Sequence, residues 1–472
     1  MDTQLAVIGG GPGGYAAAFR AADLGMGVTL INQEESLGGV CLLRGCIPSK
    51  ALLHVAKMLV EADRLADWGV SFGRPEIKLD ALRARKQQVI AALAGGLRQL
   101  AARRKVRVVR ARASFLDSRT LKLESAEEAS AAADDRVVFE HCIVATGSRP
   151  ATLPGPALPA PRVMNSAAAL DLPEIPDSLL VVGGGYIGLE LGTVYAALGT
   201  RVSVAEMTGG LLPGVDADLV RPLHKKLNGV FEEIRLETKV AALADKGNSI
   251  EVTFDGNARR SVEQFDRVLI SVGRRANSDA LGLENTKVEL DGQGFVTVDG
   301  QQRTADGNIL AIGDVAGGAM LAHKAARQGK VAAEVLAGQP TTFQPAALPA
   351  VVFTDPEIAW AGLTETECKA REIRIECARF PWAASGRAQA DGSAEGLTKW
   401  LVDARSARAV GCGIVGRGAG ELIGEAALAI AAGISMPRIA EAIHPHPTLS
   451  ETLGAAAEVY LGAATDLYRP KR

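Results

Sequence analysis

The sequence predicts an α/β protein with two Rossmann-like dinucleotide-binding domains, and three observations carry that prediction. A glycine-rich pattern of 24 residues occurs twice, at an offset of 174 residues. An apolar strand-like run stands on each side of each copy, the setting in which such a loop holds a dinucleotide. The chain has 472 residues, enough for about three domains.

The first copy runs from Gly9 to Asn32. Leu5-Ala6-Val7-Ile8 leads as a strand into Gly9-Gly10-Gly11-Pro12-Gly13-Gly14, an Ala-rich helix ends near Gly25, and Val28-Thr29-Leu30-Ile31 follows as a second strand. The second copy runs from Gly183 to Glu206, with strand Leu179–Val182, the loop Gly183-Gly184-Gly185-Tyr186-Ile187-Gly188, a helix ending near Gly199, and strand Val202–Val204. In each, the first glycine (Gly9, Gly183) permits the turn, the second (Gly11, Gly185) lets backbone approach a pyrophosphate, and the third (Gly14, Gly188) lets helix and strand pack closely. The helix N-terminus then holds the anion.

Both units close alike: strand-like Val137–Ala145 ends on Thr146-Gly147-Ser148-Arg149-Pro150, and Arg267–Val272 ends on Gly273-Arg274-Arg275-Ala276-Asn277. Five prolines between Pro150 and Pro161 mark a crossing segment. Further on come the strand Ile309–Ile312 with Gly313-Asp314, a boundary at Pro345 and Pro349, strands at 351–353 and 399–402, and a helix from Glu421 to Ala432. Four segments result: 1–149 and 150–277 bind nucleotides, 278–345 forms a central domain, and 346–472 forms an α+β C-terminal domain.

Composition narrows the function. With 52 Lys plus Arg against 54 Asp plus Glu, a net charge of -2, the chain is no polycationic nucleic-acid binder. Met1-Asp2-Thr3-Gln4 has no basic n-region, and the longest apolar run, Leu179 to Gly199, is broken by glycines and Glu190. A cytoplasmic protein with no membrane span is expected. Four of the six cysteines, Cys142, Cys368, Cys377 and Cys412, stand singly and read as small buried hydrophobes.

Cys41 and Cys46 read differently. Their C-x4-C spacing is not that of a zinc knuckle and no second pair or nearby His completes a ligand set, so no metal is expected. Two dinucleotide sites beside a dithiol imply electron traffic, because nicotinamide and flavin exchange a hydride while a Cys pair exchanges two electrons as a disulfide. Thiol–disulfide exchange needs a thiolate, and a base that draws off the proton is served best by histidine oriented by a carboxylate. His54, His141, His224 and His323 show no such partner pattern, while His444 and His446 remain nearly even rivals. At the second unit, Glu206 ends the second strand, where a carboxylate accepts from the ribose 2'-hydroxyl of NAD and repels the phosphate of NADP. Residues 207–212 offer no arginine for that phosphate.

The segment Gly38-Gly39-Val40-Cys41-Leu42-Leu43-Arg44-Gly45-Cys46-Ile47-Pro48-Ser49-Lys50 resembles the redox signature of the flavin-dependent pyridine nucleotide-disulfide reductases, and the resemblance extends from end to end. Phe380–Ala388 and His444-Pro445-His446-Pro447-Thr448-Leu449-Ser450-Glu451 are similar to the dihydrolipoamide dehydrogenase branch. That resemblance implies FAD on the first unit, NAD on the second, and a dimerisation role for the last domain. By it, Cys41 is the interchange thiol and Cys46 the thiol against the flavin. Lys50, paired with Glu190, lies near the flavin N5. Asp314 binds the ribityl chain, His446 is the base and Glu451 orients it. Gly9, Gly11, Gly14, Asn32, Ala113 and Ala322 are assigned with them to FAD, and Gly183, Gly185, Gly188, Glu206, Val240 and Gly273 to NAD.

The implied activity is oxidation of protein-bound dihydrolipoamide with reduction of NAD, in a homodimer whose His446 serves the partner's dithiol. Lipoyl domains and the acyltransferase core of 2-oxo acid dehydrogenase complexes, or glycine cleavage, are the implied partners. Another NAD(P)H-dependent disulfide reductase and a non-catalytic complex subunit are the alternatives. A mercuric reductase would carry a C-terminal cysteine pair, which Asp466–Arg472 lacks. Three departures from the family pattern stand out. Asn32 replaces the acidic residue at the FAD ribose, so weaker affinity is expected. Tyr186 either covers the flavin until nicotinamide arrives or packs as a helix-start aromatic. Ala276 replaces a proline.

Overall fold

A computed structural model describes residues 1–125, 135–153, 160–256 and 259–468. Part of the proline-rich crossing segment and residues 469–472 lie outside these.

The first unit is a parallel sheet. Strand β1 (Asp2–Ile8) is flanked by β2 (Val28–Asn32) and, beyond strands β3 (Arg107–Asp117) and β4 (Thr120–Ser125) in sequence, by β5 (Arg136–Val144). The start of β3 runs parallel to β2, while its second half turns antiparallel to β4, making a second layer. Leu5 to Ile8, Leu30 and Ile143 are buried, since a parallel sheet covered on both faces is apolar throughout.

Helix α1 (Pro12–Asp23) lies on this sheet through Ala17, Ala18 and Ala21. A short helix α2 (Gly39–Arg44), the long α3 (Cys46–Arg64) and α4 (Leu79–Arg103) follow. The stretch 39–68 is long and apolar enough to cross a membrane by composition, yet it breaks at Gly45 and packs on α4 and the helix Tyr186–Ala197.

The expected central segment 278–345 shares its sheet with the first unit. Strand Ile309–Ala311 pairs in parallel with β5, and helix Ala322–Leu336 packs on α1 so closely that a Cβ on Gly329 would stand 2.5 Å from the Gly13 carbonyl oxygen. A boundary at 278 therefore cuts a continuous core. The cause is a crossover: the fifth strand of the parallel sheet is supplied after the second unit has been traversed.

The second unit repeats the plan, with parallel strand order 233–235, 201–205, 178–182, 267–270 and 163–164, covered by the antiparallel meander 238–245, 250–256 and 259–265. Ser148–Pro150 and Arg274–Ala276 pair where the chain crosses between units. The C-terminal domain is a five-stranded antiparallel sheet, order 350–352, 357–362, 409–416, 397–403 and 375–381, with helices Ala419–Ala431 and Glu451–Leu461 packed against it. Trp382 and Trp400 fill its core, each with its indole N–H satisfied.

One apolar cluster spans the three parts, from Leu52 and Leu53 on α3 through Leu189 and Leu191 to Val352, Ile358 and Val415. Beside it the Lys399 ammonium, 1 % exposed, donates to Asp216 (2.8 Å), Asp218 (2.6 Å) and Glu365 (2.9 Å), joining the second unit to the last domain. This carboxylate trio closes around that ammonium, so its buried charge is compensated from within the chain.

Candidate active site

The two glycine loops separate into packing and open positions. A Cβ on Gly14 would stand 1.8 Å from the Gly9 carbonyl oxygen, and one on Gly188 would stand 2.4 Å from that of Gly183, so both exist for helix–strand contact. At Gly11 the nearest atom would be 3.9 Å away, and at Gly185 nothing would lie within 4 Å. Packing does not demand glycine there, and the open space leaves room for the close approach of a ligand. Gly11 opens on a cavity of about 620 Å³, a size usual for small-molecule sites. Gly9, Gly11, Asn32, Ala113, Cys41, Cys46, Lys50, Glu190, Tyr186, Asp314 and Ala322 all line it.

Cys41 sits in α2, Cys46 opens α3, and Gly45 joins them at a bend where a Cβ would meet the Val40 carbonyl oxygen at 2.8 Å. The bend sets the two thiols beside each other, close enough for each to shift the other's titration. That proximity polarises the pair. The Cys41 thiol, helped by the Lys50 charge and opposed by burial and Glu190, brings the Cys46 thiol down to about 7. The same pairing, with burial, pushes Cys41 up. Of the pair, Cys46 is therefore the thiol that ionises first, while Cys41 holds its proton.

Lys50 lies one helical turn beyond Cys46. Its Nζ donates to Glu190 Oε2 (2.8 Å) and stands 4.4 Å from the centre of the Phe353 ring, while the Phe353 N–H donates to Glu190 Oε1 (3.0 Å). The first unit, the second unit and the C-terminal domain each give one residue to this cluster. Asp314 Oδ2 accepts from Ser148 Oγ (2.5 Å), which in turn accepts from Arg274 Nε (2.7 Å). The buried Lys324 ties down the same turn by donating to the Gly317 carbonyl oxygen (2.5 Å). Ser148, Arg274, Lys324 and Phe353 were not legible as site residues. Arg274 stands in a visible glycine–arginine motif, but nothing local names its partner.

In the second unit Glu206 is buried, with Oε2 accepting from the Gly184 N–H (2.7 Å) and Oε1 from that of Thr208 (2.7 Å). Gly273 holds a φ of +118° with open space around it. Val240 turns its side chain into the core, so it offers a nucleotide only backbone. Tyr186, first residue of its helix, is 41 % exposed on the cavity wall rather than packed inside. Ala276 is buried in the crossing strand. Of the single cysteines, Cys142, Cys368 and Cys412 are buried and Cys377 is half-buried.

The two rival histidines differ in what they leave open. His444, 11 % exposed, has Nε2 on Glu425 (2.8 Å) and Nδ1 on the Ala442 carbonyl oxygen (3.1 Å), so both ring nitrogens are engaged. His446, 79 % exposed, has Nδ1 on Glu451 Oε1 (2.9 Å), and its Nε2 has no partner among the described residues. Burial would raise the Glu451 carboxyl, but the Thr448 N–H and His446 hold it below its usual range. His446 is absent from the walls of its own chain's dithiol cavity.

Comparisons with known proteins show the family. A family model described as pyridine nucleotide-disulphide oxidoreductase matches residues 3–329, and one for that family's dimerisation domain matches 348–457. The chain is 47% identical over 471 residues to a dihydrolipoyl dehydrogenase of Haemophilus influenzae, covering 100% of this chain and 98% of the relative. It is 40% identical over 462 residues to one of Geobacillus stearothermophilus, covering 98% and 97%. Among solved structures, LpdA from Mycobacterium tuberculosis superposes with a TM-score of 0.88 at 28% identity, covering 97% of this chain and 99% of that one. The HOCl-induced flavoprotein disulfide reductase RclA from Escherichia coli, solved as a Cu(II) complex, gives 0.85 at 25% identity over 97% and 99%.

Proposed function

Because the chain belongs to the pyridine nucleotide-disulphide oxidoreductase family, we propose that it is an FAD-dependent dihydrolipoyl dehydrogenase, oxidising protein-bound dihydrolipoamide and reducing NAD. The observation that carries the reading is the polarised Cys41–Cys46 dithiol beside Lys50 and Glu190, in the cavity onto which the first glycine loop opens.

The residues fit the cofactors. Gly11 leaves room for a pyrophosphate at the N-terminus of α1, and Asp314, Ala113 and Ala322 line the same cavity, so these residues would hold FAD. Gly185 and Glu206 would hold NAD, two lone pairs of the Glu206 carboxylate remaining for a ribose. Bound flavin would supply a two-electron carrier between dithiol and nicotinamide. Tyr186, exposed where the second unit meets this cavity, would cover that carrier until nicotinamide arrives.

The remaining chemistry belongs to the side chains. When the pair is in its oxidised form, a Cys41–Cys46 disulfide, Cys41 takes the incoming substrate thiolate at sulfur, and the Cys41–Cys46 bond breaks as the mixed disulfide forms. Cys46 leaves as a thiolate, held in that form by Lys50, whose charge Glu190 fixes in place. His446 draws the proton from the substrate thiol at Nε2, and Glu451 orients the ring and stabilises its cationic form. The second substrate thiol then resolves the mixed disulfide, returning Cys41 as a thiol and releasing lipoamide.

His446 stands apart from its own chain's dithiol and the dimerisation domain is present, which supports a homodimer with His446 serving the partner's site. Lipoyl domains and the acyltransferase core of a 2-oxo acid dehydrogenase complex, or of glycine cleavage, are the proposed partners, in the cytoplasm.

The test compares turnover of the flavoprotein on dihydrolipoamide with NAD and on glutathione disulfide with NADPH. Rapid NAD reduction in the first assay and little in the second is expected; the reverse order overturns the reading in favour of another disulfide reductase. A yellow protein inert in both points to a non-catalytic subunit.

A further inference from the structure

The 174-residue repeat provides a control inside the molecule for reading Asn32. The residue that ends the second strand holds the glycine loop and, in a dinucleotide unit, faces a ribose diol. Glu206 can do both, since a carboxylate offers about four acceptor positions and the Gly184 and Thr208 amides use two. Asn32, at the matching position, cannot. Its Oδ1 accepts from the Gly10 N–H (3.2 Å), and both hydrogens of its Nδ2 are used on the carbonyl oxygens of Glu34 (2.7 Å) and Ser36 (3.1 Å). One lone pair on an uncharged oxygen is left for two hydroxyl donors.

Two residues further on, Glu34 lines the same cavity. Asn32 fixes its backbone, and Arg44 Nη2 engages its Oε1, leaving Oε2 with no partner among the described residues. Arg44 also lines the cavity and ends α2, the helix that carries Cys41. We propose that the Glu34 carboxylate, oriented by Arg44, receives the adenosine ribose hydroxyls of the bound dinucleotide, the role held in the second unit by the strand-end residue itself. Asn32 is then a positioning residue for the glycine loop and for Glu34. The proposal rests on the reading of the first unit as the FAD site.

Flavin-free protein titrated with FAD, followed by quenching of flavin fluorescence, tests it without any turnover. The probes are FAD and an FAD analogue whose adenosine ribose lacks both hydroxyls. Glu34→Ala should weaken FAD binding by about tenfold or more, as expected for loss of hydrogen bonds to a charged acceptor. The same variant should leave binding of the dideoxy analogue close to that of the wild type. Unchanged FAD affinity in Glu34→Ala, or an equal loss for both probes, overturns the proposal alone. A wild-type chain that binds neither probe overturns the FAD reading and the proposal with it.

Discussion

Cys46 and Lys50 are four residues apart on one helix, so they share a face, and the ammonium stands near the sulfur whose charge it favours. The Cys46 thiol, brought to about 7, is largely thiolate above that pH and largely protonated below it. Lys50→Met removes a cation that favours the charged form, so the thiolate becomes harder to make. In the reduced protein, the pH at which thiolate absorbance near 240 nm appears should move upward, by about one pH unit or more. An unmoved midpoint would separate Lys50 from the thiol. The sequence displayed the spacing of Cys41, Cys46 and Lys50, but not Phe353, which lies under the ammonium from the loop after the strand 350–352, far along the chain.

At the scale of elements, the glycine loops make a paired prediction. Gly14→Ala drives a methyl group against the Gly9 carbonyl oxygen, so helix α1 must lift from β1. A loss of about 3 kcal/mol or more is expected, seen as a lower Tm or as insoluble protein. Gly11→Ala meets no atom closer than 3.9 Å, and its backbone is in an extended conformation that alanine adopts freely. It should keep the Tm of the flavin-free protein and lose FAD affinity by about tenfold or more, measured by flavin titration. Equal Tm values for the two variants would refute the division into packing and open glycines. The sequence placed both in one motif, and only the distances assign them different work.

For the whole molecule, the dithiol and the open imidazole belong to different places on one chain, and the proposed homodimer would bring one chain's His446 to the other's dithiol. His446→Ala should retain bound flavin and lose most dihydrolipoamide turnover, and Cys41→Ala should behave likewise. A heterodimer of the two carries one site with both defects and one with neither. Co-expressed and purified by two tags, it should recover about half the wild-type turnover per dimer. If it stays inactive while both homodimers are folded and yellow, His446 does not act across the interface. Length suggests about three domains and the motifs four segments, and neither displays how strands and helices are shared between them. Strand Ile309–Ala311 and helix Ala322–Leu336 complete the first unit because sheet hydrogen bonds and helix packing are indifferent to sequence distance.

By itself the sequence determined whatever is written within a single strand, turn and helix: two glycine loops, a thiol pair with a lysine one turn on, and a histidine five residues before a glutamate. Those features obey short periods, and short periods survive in one dimension. Tertiary structure alone decided which polar atoms remain free. His444 is engaged at both nitrogens and His446 at one, while Asn32 has spent its amide and Glu34 keeps an oxygen. Hydrogen-bond capacity is a property of an atom's whole surroundings, and those surroundings exist only once the chain has folded.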